Sequence, residues 1–376
     1  MVPHRHAFAA LLLVLGASAS ASGDSFDAGA SAPRFKAATL EFSAEATVAS
    51  ANPTLYGTGL EPAPLTLGKA SYLFSNGRGT AYAFGTGGTE RAFFGLESTG
   101  TTPITPNGES TPLSATVQPG RFNAPYFALA DNARYVGLGA AFAGGTVVRL
   151  GAVLQGAPAP AVSGTPRAPE SRGVTVSALE LQKSFAGTTG VVTMGQMHEK
   201  NSAMGLTGTG AMALAATPTT TFVTLAASSA LSARTSLSAM VSMGRTAAYT
   251  NRTASLIDGA SGSRTVAMSL GLASNDVLRS GDRLGVTLAI PVKTVSGSMR
   301  VTTAVSQDPD SGALNFASQS LALRPSGTEK ALELAYTRPV SLGASFSAMA
   351  QVRLQPGHDA RAPTYYGVGV RYTRTF

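Results

Sequence analysis

Very little in this chain is equipped for catalysis. It has four histidines, His4, His6, His198 and His358, and no cysteine. A serine triad needs a histidine and a serine in recognisable turn contexts, and neither is present. No catalytic residue is therefore assigned, and the chain reads as non-enzymatic. Gly85-Thr86-Gly87-Gly88-Thr89 and the stretch from Gly205 to Gly210 are rich in glycine but lack the Gly-Lys-Ser/Thr that would hold a phosphate. Both read as turns or close strand approaches. Asp308-Pro309-Asp310-Ser311-Gly312 offers oxygen ligands, yet no glutamate follows at calcium-loop spacing, which leaves a plain turn. His358-Asp359 reads as solvated in a loop. His198-Glu199 ends a strand, at an interface or in a lumen rather than at a metal. The missing cysteines exclude disulfides and thiolate metal sites and permit a life outside the reducing cytosol. No cofactor or metal is implied.

The chemistry that remains is arginine. Arg234, Arg283, Arg353 and Arg371 fall on the small-residue face of alternating stretches. If that face lines a lumen, they either make it favour anions or pair with inward acids such as Glu333 and plug it. The sequence leaves both open.

What positions these residues is a period of two. Val266, Met268, Leu270 and Leu272 alternate with Thr265, Ala267, Ser269 and Gly271. Leu284, Val286, Leu288 and Ile290 alternate with Arg283, Gly285, Thr287 and Ala289. The last stretch puts Tyr366, Val368, Val370, Tyr372, Arg374 and Phe376 on one face, and Gly367, Gly369, Arg371, Thr373 and Thr375 on the other. It resembles the C-terminal recognition strand of bacterial outer-membrane β-barrels, which ends on an aromatic residue. Arg374 departs from the apolar face, at a place where a long side chain reaches interfacial water.

Taken along the chain, residues 1–21 read as a signal peptide: Arg5, then Ala7 to Leu15, then the small residues Ala17 to Ala21. Residues 22–70, interrupted by Pro33, Pro53, Pro62 and Pro64, read as a poorly ordered lead-in, a lumen segment or a miniature passenger, with Leu40 to Val48 as a strand or short helix. Tyr72-Leu73-Phe74 and Tyr82-Ala83-Phe84 flank an Asn76-Gly77 hairpin signal. From residue 133, strand candidates follow one another to the end, among them 208–216, 220–228, 295–305 and 314–324. The expected fold is all-β, an antiparallel transmembrane β-barrel over 71–376 with about 12–14 strands of the length a tilted membrane strand requires.

Composition supports that choice over a soluble sheet. Charged residues are only 13% of the chain, and the 28 basic against 20 acidic residues are scattered, which gives nucleic-acid binding poor support and is compatible with a basic lumen, contact with anionic lipid or plain solubility. The second face is Gly, Ser, Thr and Ala with occasional Arg or Gln, suited to a polar lumen. If Phe376 ends in the periplasm, 355–364 and 247–263 connect strands outside and Arg338–Leu342 turns inside. On the same count 156–172 and 304–313 fall inside, against the rule that inner turns are short. The expected partners are outer-membrane lipid, the barrel-assembly machinery and small solutes. The alternative is a soluble exported β-sandwich binding protein.

A family likeness rests on Met194-Gly195-Gln196-Met197-His198-Glu199 followed by Gly208-Thr209-Gly210-Ala211, on Gly281-Asp282-Arg283-Leu284-Gly285, on Ile290-Pro291-Val292, on Leu323-Arg324-Pro325-Ser326-Gly327, and on Ala335-Tyr336-Thr337-Arg338-Pro339-Val340. From Tyr72 to Phe376 the chain resembles the C-terminal autotransporter-type β-domain behind subtilisin-like serine peptidases of alphaproteobacteria. The resemblance implies an outer-membrane translocator barrel in a Gram-negative bacterium. The peptidase itself is missing, since no His-Gly-Thr or Gly-Thr-Ser-Met setting occurs. A small pore or a structural membrane component is the function expected.

Overall fold

The structure, a computed structural model, describes residues 34–48, 61–62, 66–75, 80–86, 125–129, 134–142, 146–155, 173–186, 188–204, 210–252, 255–341 and 344–375. The chain divides into two compact units, Met1–Arg34 and Phe35–Phe376, and every described residue except Arg34 lies in the second.

The strands are β1 (Arg34–Val48), β2 (Glu61–Pro62), β3 (Thr66–Ser75), β4 (Thr80–Thr86), β5 (Arg134–Phe142), β6 (Thr146–Gln155) and β7 (Gly173–Phe185). Next come β8 (Thr188–Lys200), β9 (Thr219–Ala230), β10 (Thr235–Thr246), β11 (Tyr249–Thr250), β12 (Ile257–Ala260) and β13 (Ser263–Asn275). The last are β14 (Arg283–Ser296), β15 (Ser298–Gln307), β16 (Leu314–Ala322), β17 (Lys330–Ser341), β18 (Ala344–Leu354) and β19 (Tyr365–Thr375). Short 3-10 turns lie at Pro125–Leu129, Gly210–Met212 and Pro356–His358.

One sheet of 15 described strands runs β19-β18-β17-β14-β13-β10-β9-β8-β7-β6-β5-β4-β3-β1-β2, and β19 also pairs with β1. Because β2 is only a two-residue addition to β1, the remaining fourteen strands form a closed ring. The closing pair is antiparallel from Thr39↔Thr375 to Val48↔Tyr366. The lead-in expected over 22–70 is corrected here, because 34–48 is a stave of the wall. Leu40, Phe42, Ala44, Ala46 and Val48 alternate with Glu41, Ser43, Glu45 and Thr47, but the partner of that pattern lies at the far end of the chain.

Three further expectations change. The strand expected at 208–216 is instead the turn Gly210–Met212 and irregular chain. The staves expected at 295–305 and 314–324 are β15 and β16, which pair with β11 and β12 in a separate four-stranded sheet. Removing them from the wall lets β14 pair directly with β17. The conflict over loop sides then disappears. Connections 76–79, 143–145, 186–187, 231–234, 276–282 and 342–343 share one end of the ring. At the other end lie 49–65, 87–133, 156–172, 201–218, 247–262, 297–329 and 355–364. One end is short throughout and the other long.

The short turn 276–282 shows how such an end is fixed. Asp282 accepts the backbone N–H of Val277 at 2.7 Å, Leu278 at 3.0 Å and Arg279 at 2.7 Å, and the Tyr336 hydroxyl at 2.9 Å. Burial raises its carboxyl pKa, but the bonds from Tyr336 and the three amides outweigh this and hold it below the ordinary value.

The two faces of the wall are inverted relative to a soluble protein. Met268, Leu270, Leu272, Val286, Leu288, Leu332 and Leu334 are exposed, while Thr193, Thr224, Ser238, Ser242 and Thr265 are at most 1% exposed. Apolar side chains therefore meet lipid and hydroxyls point inward, which makes this a transmembrane β-barrel and leaves the sandwich alternative without support. Phe142, Phe185, Leu231, Leu278, Val340 and Phe346 extend the exposed apolar surface to the short-turn rim. Leu288→Arg places a charge in the lipid-facing band and is expected to cost about 2–4 kcal/mol. Urea titration of the protein folded into phosphatidylcholine vesicles measures it; an unchanged midpoint would show that Leu288 does not face hydrocarbon.

Candidate functional site

The lumen is built row by row from residues that the register sets side by side. Thr220 and Thr246 share a hydrogen bond of 2.8 Å across β9 and β10, Thr224 bonds Ser242, and Ser238 donates to Ser228 at 3.0 Å. Hydroxyls suit this face because a hydroxyl can both donate to and accept from a neighbour on the adjacent strand. The same adjacency makes an ion pair. Arg149 of β6 and Glu180 of β7 are Cα partners, as are Glu180 and Thr193 of β8. Arg149 Nη1 donates to Glu180 Oε1 at 2.5 Å and to Gln182 Oε1 at 2.8 Å, and Thr193 donates to Glu180 Oε2 at 3.3 Å. Arg149 was not among the expected lumen arginines. Its signal was available: opposite charges at matching parity on consecutive strands.

An inserted segment narrows the same space. Tyr126, in the connection between β4 and β5, is 0% exposed. Its ring stacks on Phe222 with centroids 4.5 Å apart, and its hydroxyl bonds Thr265 at 2.7 Å. Glycine makes the room. A Cβ at Gly244 would strike the Tyr126 hydroxyl, and one at Gly195 would strike the Phe222 ring. Met197, Phe222 and Met240 are also inward and buried, so the lumen is not uniformly small and polar. Beside the inserted segment lies a cavity of ≈ 250 Å³ whose lining includes Leu129, Ser269, Thr287, Glu333, Gln351 and Arg353. Ser269 Oγ and Thr287 Oγ1 are buried without a hydrogen-bond partner among the described residues. A second cavity of ≈ 610 Å³ lies at the four-stranded sheet, next to Tyr249, Arg252, Asp258, Arg300 and Ser320.

The expected basic residues are not a single group. Arg234 is exposed in the 231–234 turn and does not line the lumen, because β10 begins only at Thr235. Arg283 is buried at the start of β14. Arg353 lies near the opposite end of the wall, where its Nε donates to Glu329 Oε1 at 2.6 Å. Glu333, expected as an arginine partner, accepts from Gln351 at 2.6 Å. Arg371 is the Cα partner of Ser43 and of Ser347. In the closing strand Tyr366 is exposed, and Val368, Val370 and Tyr372 are in register with β18 and β1. Phe376, Gly87 to Thr89 and Gly205 to Thr209 lie outside the described residues.

The two expected loop sites resolve differently. Asp308 Oδ1 accepts the N–H of Asp310 at 2.9 Å and of Ser311 at 3.2 Å, closing a plain turn at the tip of the β15–β16 hairpin. His198 is exposed and bonds Thr219 at 3.0 Å. His358 is not solvated: it is 8% exposed, its Nδ1 accepts the Glu329 N–H at 2.9 Å, and its Nε2 donates to Val292 O at 3.0 Å. Gly357 N–H also donates to Glu329 Oε2 at 2.7 Å, and Gly327 N–H to His358 O at 2.7 Å. This latch ties the last long connection to the segment entering β17. Among the described residues no group of three His, Asp or Glu is placed to hold a metal.

No family model matches the chain, and no curated protein does. Among solved structures it is similar to outer-membrane expressed OmpT of Vibrio cholerae, with 11% identity, 94% of this chain and 100% of that chain covered, and a TM-score of 0.44. It is similar to OprB of Pseudomonas putida at high pH, with 10% identity, 92% and 94% covered, and a TM-score of 0.43. The outer membrane channel DcaP of Acinetobacter baumannii gives 9% identity, 94% and 100% covered, and a TM-score of 0.44.

Two outcomes follow from this geometry. Glu180→Gln removes the carboxylate that neutralises the buried Arg149 guanidinium and is expected to cost about 3–5 kcal/mol, whereas Arg149→Met with Glu180→Leu is close to neutral; urea midpoints in vesicles compare them. Burial lowers the His358 pKa, the Val292 bond and Glu329 oppose it, and Lys293 and Arg353 add to it. A depressed histidine means that the unfolded latch binds the proton more readily. Its stabilisation is therefore full above the ordinary histidine value of about 6.5 and fades as pH falls below it. Proteolysis within 355–364 is expected to accelerate between pH 7.5 and pH 5, and His358→Ala is expected to be cut rapidly at both.

Proposed function

We propose that this chain is an outer-membrane β-barrel, non-enzymatic, that passes small polar solutes through a lumen narrowed by the Pro125–Leu129 segment. The observation behind it is the two-faced wall: fourteen strands in a ring, aliphatic side chains outward, hydroxyls and ion pairs inward. Tyr126 stacked against Phe222 supports a constriction rather than a wide channel. Pairing of Arg149 with Glu180 and of Arg353 with Glu329 removes much of the reason for anion preference.

On this reading, residues 1–21 are cleaved after export, and the strand ending at Phe376 presents Tyr366, Val368, Val370 and Tyr372 to the barrel-assembly machinery. The long connections face the cell exterior. Kinship with peptidase translocator domains is proposed on the sequence blocks alone.

Purified protein in planar bilayers is expected to give small, weakly selective conductance steps, and Tyr126→Ala is expected to enlarge them several-fold. Identical steps in wild type and variant would remove Tyr126 from the constriction. Recovery of the wild-type protein in aqueous extracts, without detergent, would end the membrane reading altogether.

A further inference from the structure

At the long-connection end of the wall, the outward face changes character within one pleat. The register aligns Met194, Val223, Met243 and Val266 across β8, β9, β10 and β13. Two residues nearer that end it aligns Gln196, Thr221, Arg245 and Arg264, and Arg264 continues to Ser296 of β14. All five of these polar residues are exposed. The first row belongs to the lipid-facing band, and the second marks its edge.

Arg245 and Arg264 are direct cross-strand partners. Like charges in that position repel and destabilise the pair unless something of opposite charge lies between them. Among the described residues no carboxylate pairs with either guanidinium to offset the repulsion. Among the described residues neither guanidinium has an ion pair or a side-chain hydrogen bond. Glu199 of neighbouring β8 is buried on the other face, where it accepts from Ser202 at 3.0 Å and from the Met204 N–H at 2.6 Å. Lys200, exposed at the end of β8, adds a third cation to this rim.

We propose that Arg245 and Arg264 jointly bind the phosphate of a lipid headgroup, with Thr221, Ser296 and Gln196 as flanking polar contacts. A phosphate between the two guanidiniums turns their repulsion into a pair of charge-assisted hydrogen bonds. Lipid, rather than free anion, is the occupant because the apolar row lies directly beneath the pair. Acyl chains bound to that row bring the headgroup to the arginines. The inference rests on the membrane-barrel reading but not on the pore.

The full-length protein in detergent is mixed with phosphatidic acid or with diacylglycerol of equal chain length, which lacks the phosphate, and bound lipid is counted by native mass spectrometry. Wild type is expected to retain phosphatidic acid, and Arg245→Gln with Arg264→Gln is expected to weaken retention at least about tenfold, the loss of a charge-assisted contact. The double variant relieves like-charge repulsion, so its heat-modifiable migration confirms that it still folds. Equal retention of the two lipids by a folded barrel would overturn this site alone. Displacement of phosphatidic acid by millimolar inorganic phosphate would overturn the lipid assignment in favour of a free anion. Failure to enter bilayers at all would instead overturn the barrel reading.

Discussion

A sheet in hydrocarbon cannot leave its backbone edge open. Water is absent there, and each unmatched N–H or C=O costs several kcal/mol, so a membrane sheet must close on itself. In this chain the condition is met by the β1–β19 pairing, ten residues long. Two segments at opposite ends of the sequence therefore depend on each other more than on their own neighbours. The register also matches character with character: Phe42 stands opposite Tyr372, Ala44 opposite Val370 and Ala46 opposite Val368. A slip of one residue would set apolar positions against Glu41, Ser43 and Glu45.

Closure dictates the rest of the interior. Once the ring forms, every second side chain faces the lumen, and many of the polar ones find partners within the wall. The wall answers in three ways. Hydroxyl pairs such as Thr224 and Ser242 bond each other across strands. Charges neutralise each other, as Arg149 does with Glu180 and Arg353 with Glu329. Where small residues leave space, Tyr126 enters and stacks on Phe222.

The asymmetry of the two ends follows from the same economy of strands. Short turns need only reverse the chain, and Asp282 shows how one residue can organise seven. The opposite end has no such limit, so the chain builds a separate sheet there from β11, β12, β15 and β16, with its own cavity. The His358–Glu329 latch fastens one long connection to another at that end.

Period two was plain in the residues, and with it the strand identity of nearly every stave and the choice of which face meets lipid. That is local information: Leu270 and Ser269 differ in transfer free energy wherever they are placed, and adjacent residues in a strand must point apart. Membership of the ring was not local. The pattern at 40–48 is as good as that at 366–375, yet it is a stave only because β19 lies beside it; 314–322 has comparable strand character and lies outside the ring because β14 pairs with β17 instead. Ion pairing was half visible, since Arg149 and Glu180 share parity on consecutive strands, while His358 looked solvated until three separated segments enclosed it. Sequence settles what each side chain prefers; only the closed sheet decides which distant side chain will stand next to it.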